Sequence, residues 1–143
     1  PNAAGGCLLT DPAFSKRIRD IMNHTKGIPS INDVELLKIG RHFRLSTEAK
    51  LIVGRDEDEN NVIGAMIIDG DIIMEATEYV GPKSILRCKK CDNTLLNMAA
   101  RIVLRYSDAP RGHQSKVKVE IDGVQHEILA SPANEHEIEE IRI

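Results

Sequence analysis

Three cysteines and a set of basic side chains are the reactive and charged groups that stand out in this sequence. Cys7 stands behind two glycines in AGGCLLTDPAFSKRIRDI, a few residues ahead of a helix start. The thiolate is the nucleophile and metal-ligating form, and a helix N-terminus with Lys16, Arg17 and Arg19 nearby would lower a thiol pKa. That chemistry would be persulfide carriage or cluster ligation, with Cys7 as the catalytic candidate. A small buried residue in a connector is the other reading of the same stretch. Cys88-Lys89-Lys90-Cys91 has the spacing of half a zinc site or of a redox pair, with flanking lysines that could depress the thiol pKa. Zinc takes four ligands. No second Cys-x-x-Cys follows, His113 and His126 are remote, and no thioredoxin-like pattern surrounds the pair. A basic turn that contains two cysteines accounts for it, and we assign no metal ligand.

The basic residues cluster. Residues 38–55 hold Lys38, Arg41, Arg44, Lys50 and Arg55 against Glu48, and residues 83–111 hold Lys83, Arg87, Lys89, Lys90, Arg101, Arg105 and Arg111 against Asp92 and Asp108. Residues 56–78 carry acids and no Lys or Arg, and the segment EHEIEEIRI is also acidic. If the two basic segments share a face, they form an anion-binding patch despite a net charge of −3. The candidate phosphate contacts are Arg41, Arg44, Lys50, Arg55, Arg87, Lys89 and Lys90. His42 lies between Arg41 and Arg44 and would bind phosphate when protonated; a solvated strand position is the alternative. The other histidines form no hydrolase triad. Asp56 to Glu59 lack the Asp-x-Asp-x-Asp-Gly spacing of a calcium loop, and a helix N-terminus explains them.

At 143 residues and 41% apolar content the chain fits one domain with a real core. It has no run long and apolar enough to span a membrane and no basic-then-apolar leader, so a cytoplasmic location is expected and a membrane partner is not. Three cysteines make no disulfide framework. With two Tyr, two Phe and no Trp, base-stacking platforms are scarce, and any nucleic-acid binding must lean on charge.

Caps and periodicity mark the helices and strands that carry these side chains. Asp11-Pro12 is an N-cap and first-turn signature, and Phe14, Ile18, Ile21 and Met22 recur at helical spacing, so a helix spans about 12–24. It reads as a separable arm. Apolar segments at 34–39, 41–45 and 50–54 around the turn-like STEA read as a hairpin, with Phe43 and Leu45 inward and His42 and Arg44 outward. Acidic residues complement the first turn of a helix over 56–68. IIMEATEYV and SILRC are strands. A broad apolar stripe from Leu95 to Tyr106 marks a helix over 92–107, capped by Asp92 or Asn93. KVKVEID and VQHEILA alternate with period two around Gly123, a second hairpin. The sum is an α+β domain, a mostly antiparallel sheet packed with two or three helices and preceded by an N-terminal helical arm. The expected division is a connector and arm over 1–38, the α+β domain over 39–130 and an acidic tail over 131–143.

In this order the segments resemble the NFACT-R family of RNA-binding domains. VGRDEDEN is similar to that family's Val-Gly-Arg-Asn-x-x-x-Asn stretch, where Gly54, Arg55 and Asn60 match. DGDIIMEATEYVGPKSIL stands where the family has Asp, a Trp-Phe-His strand and a Pro-Gly-Ser-His turn; Asp71 and Gly81 match. Ile73, Met74 and Glu75 replace Trp, Phe and His, while Pro82 and Lys83 replace Ser and His. NTLLNMAARIVLRYSDA looks like the family's Ala-rich helix ending in Tyr-Ser. The resemblance implies RNA binding, with Asn60 among the contacts.

AGGCLLTDPAFSKRIRDI followed by INDVELLKIGRHFRLS is also similar to the segment joining an adenylating PP-loop ATPase to an NFACT-R-like C-terminal domain in bacterial tRNA 2-thiouridylases. The start at Pro1 is consistent with a piece of such a longer chain. The resemblance implies an accessory tRNA-binding domain of a tRNA thiolation protein, with tRNA and an upstream ATPase domain as partners. ATP, and an iron–sulfur cluster where one is used, would belong to the whole protein, an ATP-dependent tRNA sulfurtransferase. The Ser-Gly-Gly-x-Asp-Ser phosphate loop is absent from this sequence, so no cofactor and no adenylation are expected in it. Cys7 would be the sulfur-handling cysteine. A protein-interaction module that has lost RNA binding, along with the Trp, Phe and His, is the alternative.

Overall fold

The structure, a computed structural model, describes residues 11–143. Cys7 and the two glycines before it lie outside the described residues. Among the described residues six strands form one antiparallel sheet: β1 (Arg41–Ser46), β2 (Ala49–Val53), β3 (Ile72–Ala76), β4 (Ser84–Cys88), β5 (Ser115–Ile121) and β6 (Val124–Ala130). Their spatial order is β1-β2-β4-β3-β5-β6. The helices are α1 (Pro12–His24), α2 (Ile31–Leu36), α3 (Glu57–Ala65), α4 (Asn93–Arg105) and α5 (Glu135–Glu139). The chain is thus α+β, as its alternating segments predict.

Local chemistry sets the boundaries. Asp11 accepts from the Phe14 amide at 3.0 Å with Pro12 in the first turn, and Asp92 accepts from the Leu95 amide at 2.8 Å. Asp122 and Gly123 both have positive φ, 50° and 80°, which is what a two-residue turn between right-twisted strands requires. Ile121 and Val124 pair directly across it.

Strand alternation sends side chains to two faces. On one, Phe43, Leu51, Val53, Met74, Leu86, Val117 and Val119 meet Ala99, Ala100, Ile102 and Val103 of α4 in the main core. On the other, α2 and α3 cover the β1-β2-β4 half, where Leu36, Ile52, Ile63 and Ile85 form a second cluster.

That second layer corrects three expectations. The segment 34–39 begins inside a helix rather than a strand, because Ser30 and Asp33 form a capping box that starts α2. His42 does not face solvent: it is fully buried under α2, its Nε2 at 2.9 Å from the Ile39 carbonyl and 3.0 Å from that of Leu36. The α1 helix is docked, not separable. Its Phe14 and Ile21 pack on Leu37, and buried Arg17 donates to the carbonyls of Leu37 and Gly40, both at 2.9 Å.

The acidic C-terminal segment also folds back. Ile138 of α5 is buried in the main core and Arg101 of α4 forks onto Glu137. The last residues lie along β1, where Arg44 donates to the Ile141 carbonyl at 2.8 Å and Ile143 to that of His42 at 3.0 Å. This covers the edge that β1 would otherwise expose.

Candidate nucleic-acid interface

At one end of the sheet, the start of β1, the β2–α3 loop, the β3–β4 loop and the end of α4 surround a groove of about 460 Å³. Arg41 opens β1 and lays its guanidinium over Tyr106, 4.4 Å from the ring centroid, while Tyr106 leans on Phe43 at 5.9 Å. The cation–π contact fixes the Arg41 side chain without consuming its hydrogen-bond donors. Burial foremost, then the charges of Arg142 and Arg55, lowers the Arg41 pKa, while Tyr106 opposes the shift. The group stays charged, as guanidinium groups do in proteins. A smaller recess of about 250 Å³ shares Arg41 and Tyr106 and adds exposed Arg142. Among the described residues neither Arg41 nor Arg142 has a carboxylate partner.

Arg55 enters the groove from the β2–α3 loop with half its side chain exposed. Its Nε and Nη2 fork onto Glu59 at 2.9 and 2.7 Å. The Glu59 carboxylate also accepts from the Arg55 amide at 2.9 Å and the Gly40 amide at 3.0 Å. These bonds, those from the Arg55 side chain first, pull the Glu59 pKa down to about 2. Glu59 is therefore a fixed anchor for the loop.

Gly54 and Asn60 hold the same loop. Asn60 Oδ1 accepts from the Lys83 amide at 3.1 Å, and the Gly54 amide donates to the Lys83 carbonyl at 3.0 Å. A Cβ on Gly54 would lie 2.0 Å from Asn60 Oδ1, so the close approach demands glycine. Asn60 lines the groove while tying the loop to β4.

The remaining candidate contacts do not join this groove. Arg44, Lys50 and Arg87 stand directly opposite one another across β1, β2 and β4, so the two basic sequence segments do meet. They meet on the face that the helices cover. Arg44 forks onto Asp20 of α1 with contacts of 2.6 to 3.3 Å. Arg87 forks onto Asp71 at 2.9 and 2.8 Å and reaches Asp33 at 2.9 Å and Asn32 at 2.7 Å. Lys50 is buried between them. Lys89 and Lys90 are exposed beyond the end of β4. His42 is held neutral, its pKa well below the ordinary imidazole value through burial first and then the charges of Lys50 and Arg17. It cannot serve as a protonated phosphate ligand.

The cysteine pair is half-buried against the main core. Burial raises both thiol pKa values, that of Cys91 to about 12 with the Cys88 hydrogen bond adding to it. The flanking lysines do not depress them. Among the described residues no group of three or more His, Cys, Asp or Glu could hold a metal ion, and no helix is long and apolar enough to cross a membrane. Sequence reasoning missed Tyr106 and Arg142 as parts of the groove. Tyr106 reads as the last residue of an apolar stripe, and Arg142 lies in an acidic segment.

Residues 40–142 match the family described as NFACT protein RNA binding domain. Among solved structures the chain is similar to the C-terminal part of the fibronectin/fibrinogen-binding protein from Streptococcus suis, at 15% identity and a TM-score of 0.64. That match covers 92% of this chain and 61% of the streptococcal one, so this chain spans under two thirds of its relative's length. At this identity the likeness is one of fold. No curated protein sequence matches.

Proposed function

From a chain that belongs to the family of NFACT protein RNA binding domains, we propose an accessory domain that binds structured RNA, tRNA in particular, along the groove beneath Arg41. The observation that carries this reading is the grouping of Arg41, Arg55 and Arg142 around Tyr106. Guanidinium groups there retain donors for phosphate, and forked donors suit phosphate oxygens. Binding that depends on charge rather than stacking fits a chain with few aromatics.

The sequence likeness of residues 4–21 and 31–46 to the joint of PP-loop tRNA thiolases supports the finer reading. In it, this domain positions tRNA for an upstream ATPase domain, and Cys7 carries sulfur or ligates a cluster at their junction. Adenylation would be the task of the ATPase domain.

The test is tRNA binding at stepped salt concentrations. Phosphate contacts give a log–log slope of roughly −0.7 to −0.9 each, and removing one contact lowers the slope by about 1. Arg41→Ala and Arg55→Ala should each weaken binding and flatten the slope. Unchanged affinity and slope in both variants would refute the groove. One feature favours the protein-interaction alternative: Glu75 and Lys83 stand where the resemblance puts two histidines, and they approach one another at 3.9 Å. Absence of any tRNA binding at about 50 mM salt, where phosphate contacts are strongest, would put that reading ahead.

A further inference from the structure

Beneath α1 and α2, on the face opposite α4, lies a recess of about 550 Å³ that the arginine groove does not reach. Its floor is the row Arg44–Lys50–Arg87, three cations directly opposite one another on adjacent strands. Like charges in that arrangement repel and destabilise a sheet. Two of the three are compensated: Arg44 by Asp20, Arg87 by Asp71 and Asp33. Lys50 is not. It is 6% exposed, lines the recess, and among the described residues has no hydrogen bond or ion pair. Burying an ammonium whose counter-charges are shared with two arginines is costly, and the structure leaves it facing an open volume.

Two more ammonium groups stand at the rim. Lys26 follows α1 and Lys89 follows β4; both are exposed, and among the described residues neither side chain has an ionic partner. Of the carboxylates lining the recess, Asp33 is spent on Arg87 and on the α2 cap, and exposed Glu48 pairs with none of these lysines.

We infer that this recess is a phosphate-binding site, with Lys50 as the buried counter-charge and Lys26 and Lys89 closing over the anion. A dianion matches several point-charge ammoniums better than a carboxylate does, because a carboxylate is best met by a guanidinium fork and both forks here are already filled. The volume exceeds what phosphate alone needs, leaving space for the ester that carries it. That ester is either a free phosphate compound or the terminal nucleotide of an RNA chain. Burial foremost, then Arg44, brings the Lys50 pKa down to about 8 while Asp20 and Asp33 oppose the shift, so the ammonium is still charged at neutral pH. The site stands independently of the groove proposed above, since it is read without RNA.

The test titrates the 143-residue chain with inorganic phosphate, with uridine 5′-monophosphate, and with one RNA oligonucleotide carrying or lacking a 5′-phosphate. The readout is the amide resonances of Thr25, Lys50 and Lys89. Expected is a saturable shift at these residues that Lys50→Met weakens by about 10- to 100-fold, the loss of one charge-assisted bond to a partly buried cation. If the small phosphates shift them, the ligand is a free phosphate compound. If the 5′-phosphorylated RNA alone does so, the ligand is an RNA terminus. No shift with any probe, or the same affinity in Lys50→Met, overturns the site. Should Lys50→Met fail to fold, the exposed pair Lys26→Ala and Lys89→Ala decides the matter: together they should weaken binding several-fold, and unchanged affinity overturns the assignment.

Discussion

Gly54→Ala is the sharpest probe of why the groove loop has the sequence it has. The added methyl would sit 2.0 Å from Asn60 Oδ1 and 3.3 Å from the Asn60 amide nitrogen, so the Asn60 side chain must leave. Leaving breaks its bond with the Lys83 amide, at 3.1 Å, in a partly buried site. An unmet donor of this kind costs about 1–3 kcal/mol, and the tight backbone contact adds strain. We expect about 2–3 kcal/mol in urea unfolding, or roughly 4–10 °C in Tm for a domain of this size. Asn60→Ala removes the same hydrogen bond without the clash and should cost about 1 kcal/mol. The double variant is decisive. With Asn60 already truncated, the Oδ1 clash is gone and only the 3.3 Å approach to the Asn60 amide nitrogen remains, so the two losses should fall short of adding by about 1 kcal/mol or more. Strict additivity would refute the argument that Gly54 is glycine because Asn60 lies over it.

Four further outcomes follow from the same structure. Glu59 has its pKa lowered to about 2 by its hydrogen bonds, the Arg55 fork first; a depressed carboxylate stabilises above its unfolded value, so this stability is full above about pH 5 and lost as pH falls toward 2. Allowing for a half-exposed Arg55, it amounts to about 2 kcal/mol, and Glu59→Gln should flatten the acid limb of a pH–stability curve. Asp20→Ala leaves Arg44 without its carboxylate beside Lys50 and should cost about 3 kcal/mol in chemical denaturation, with α1 amides losing hydrogen-exchange protection first. The chain alone should release neither AMP nor pyrophosphate from ATP, since it lacks a phosphate loop; turnover above background would overturn the proposed division of labour. In the whole protein, Cys7→Ser should abolish tRNA thiolation, measured by mass spectrometry of nucleosides, with tRNA affinity nearly intact, whereas Cys88→Ser and Cys91→Ser should do little.

The sequence exposes those features of the fold that are written locally. The Asp11-Pro12 and Asp92 caps, the α4 stripe and the Asp122-Gly123 turn each need a few consecutive residues, and each forms where its residues place it. What depends on a second layer is hidden. Period-two alternation correctly separates Phe43 and Leu45 from His42 and Arg44, but it cannot tell which faces water. On β1 both faces are covered, and the polar one lies beneath α1 and α2. His42 therefore looks like a surface residue and is a buried one. The same blindness applies to Arg17. It lies among Lys16 and Arg19 as if on a solvated helix face, yet it tethers the helix to the Leu37 and Gly40 carbonyls. A charged residue off the apolar stripe of a helix that buries two sides carries no periodic mark.

Net charge misleads for a related reason. The acidic run over 56–78 and the basic segments are not separate surfaces, because several members neutralise one another inside the fold. Glu59 is spent on Arg55, Asp71 on Arg87, Asp20 on Arg44 and Glu137 on Arg101. Among the cations outside those pairs are Arg41 and Arg142 at one end of the sheet, and Lys26, Lys50 and Lys89 at the α1–α2 recess. A polyanion meets local groups such as these, not the formal sum of −3. The arginines at the sheet end are presented on loops and a strand terminus, open to an extended backbone; Lys50 lies at the floor of a recess, where a chain end or a small ester fits and a continuous duplex does not. Affinity for tRNA and affinity for a phosphate group should therefore respond to different substitutions, and salt should weaken the exposed arginine contacts more steeply than the partly buried Lys50 contact, which solvent ions screen less.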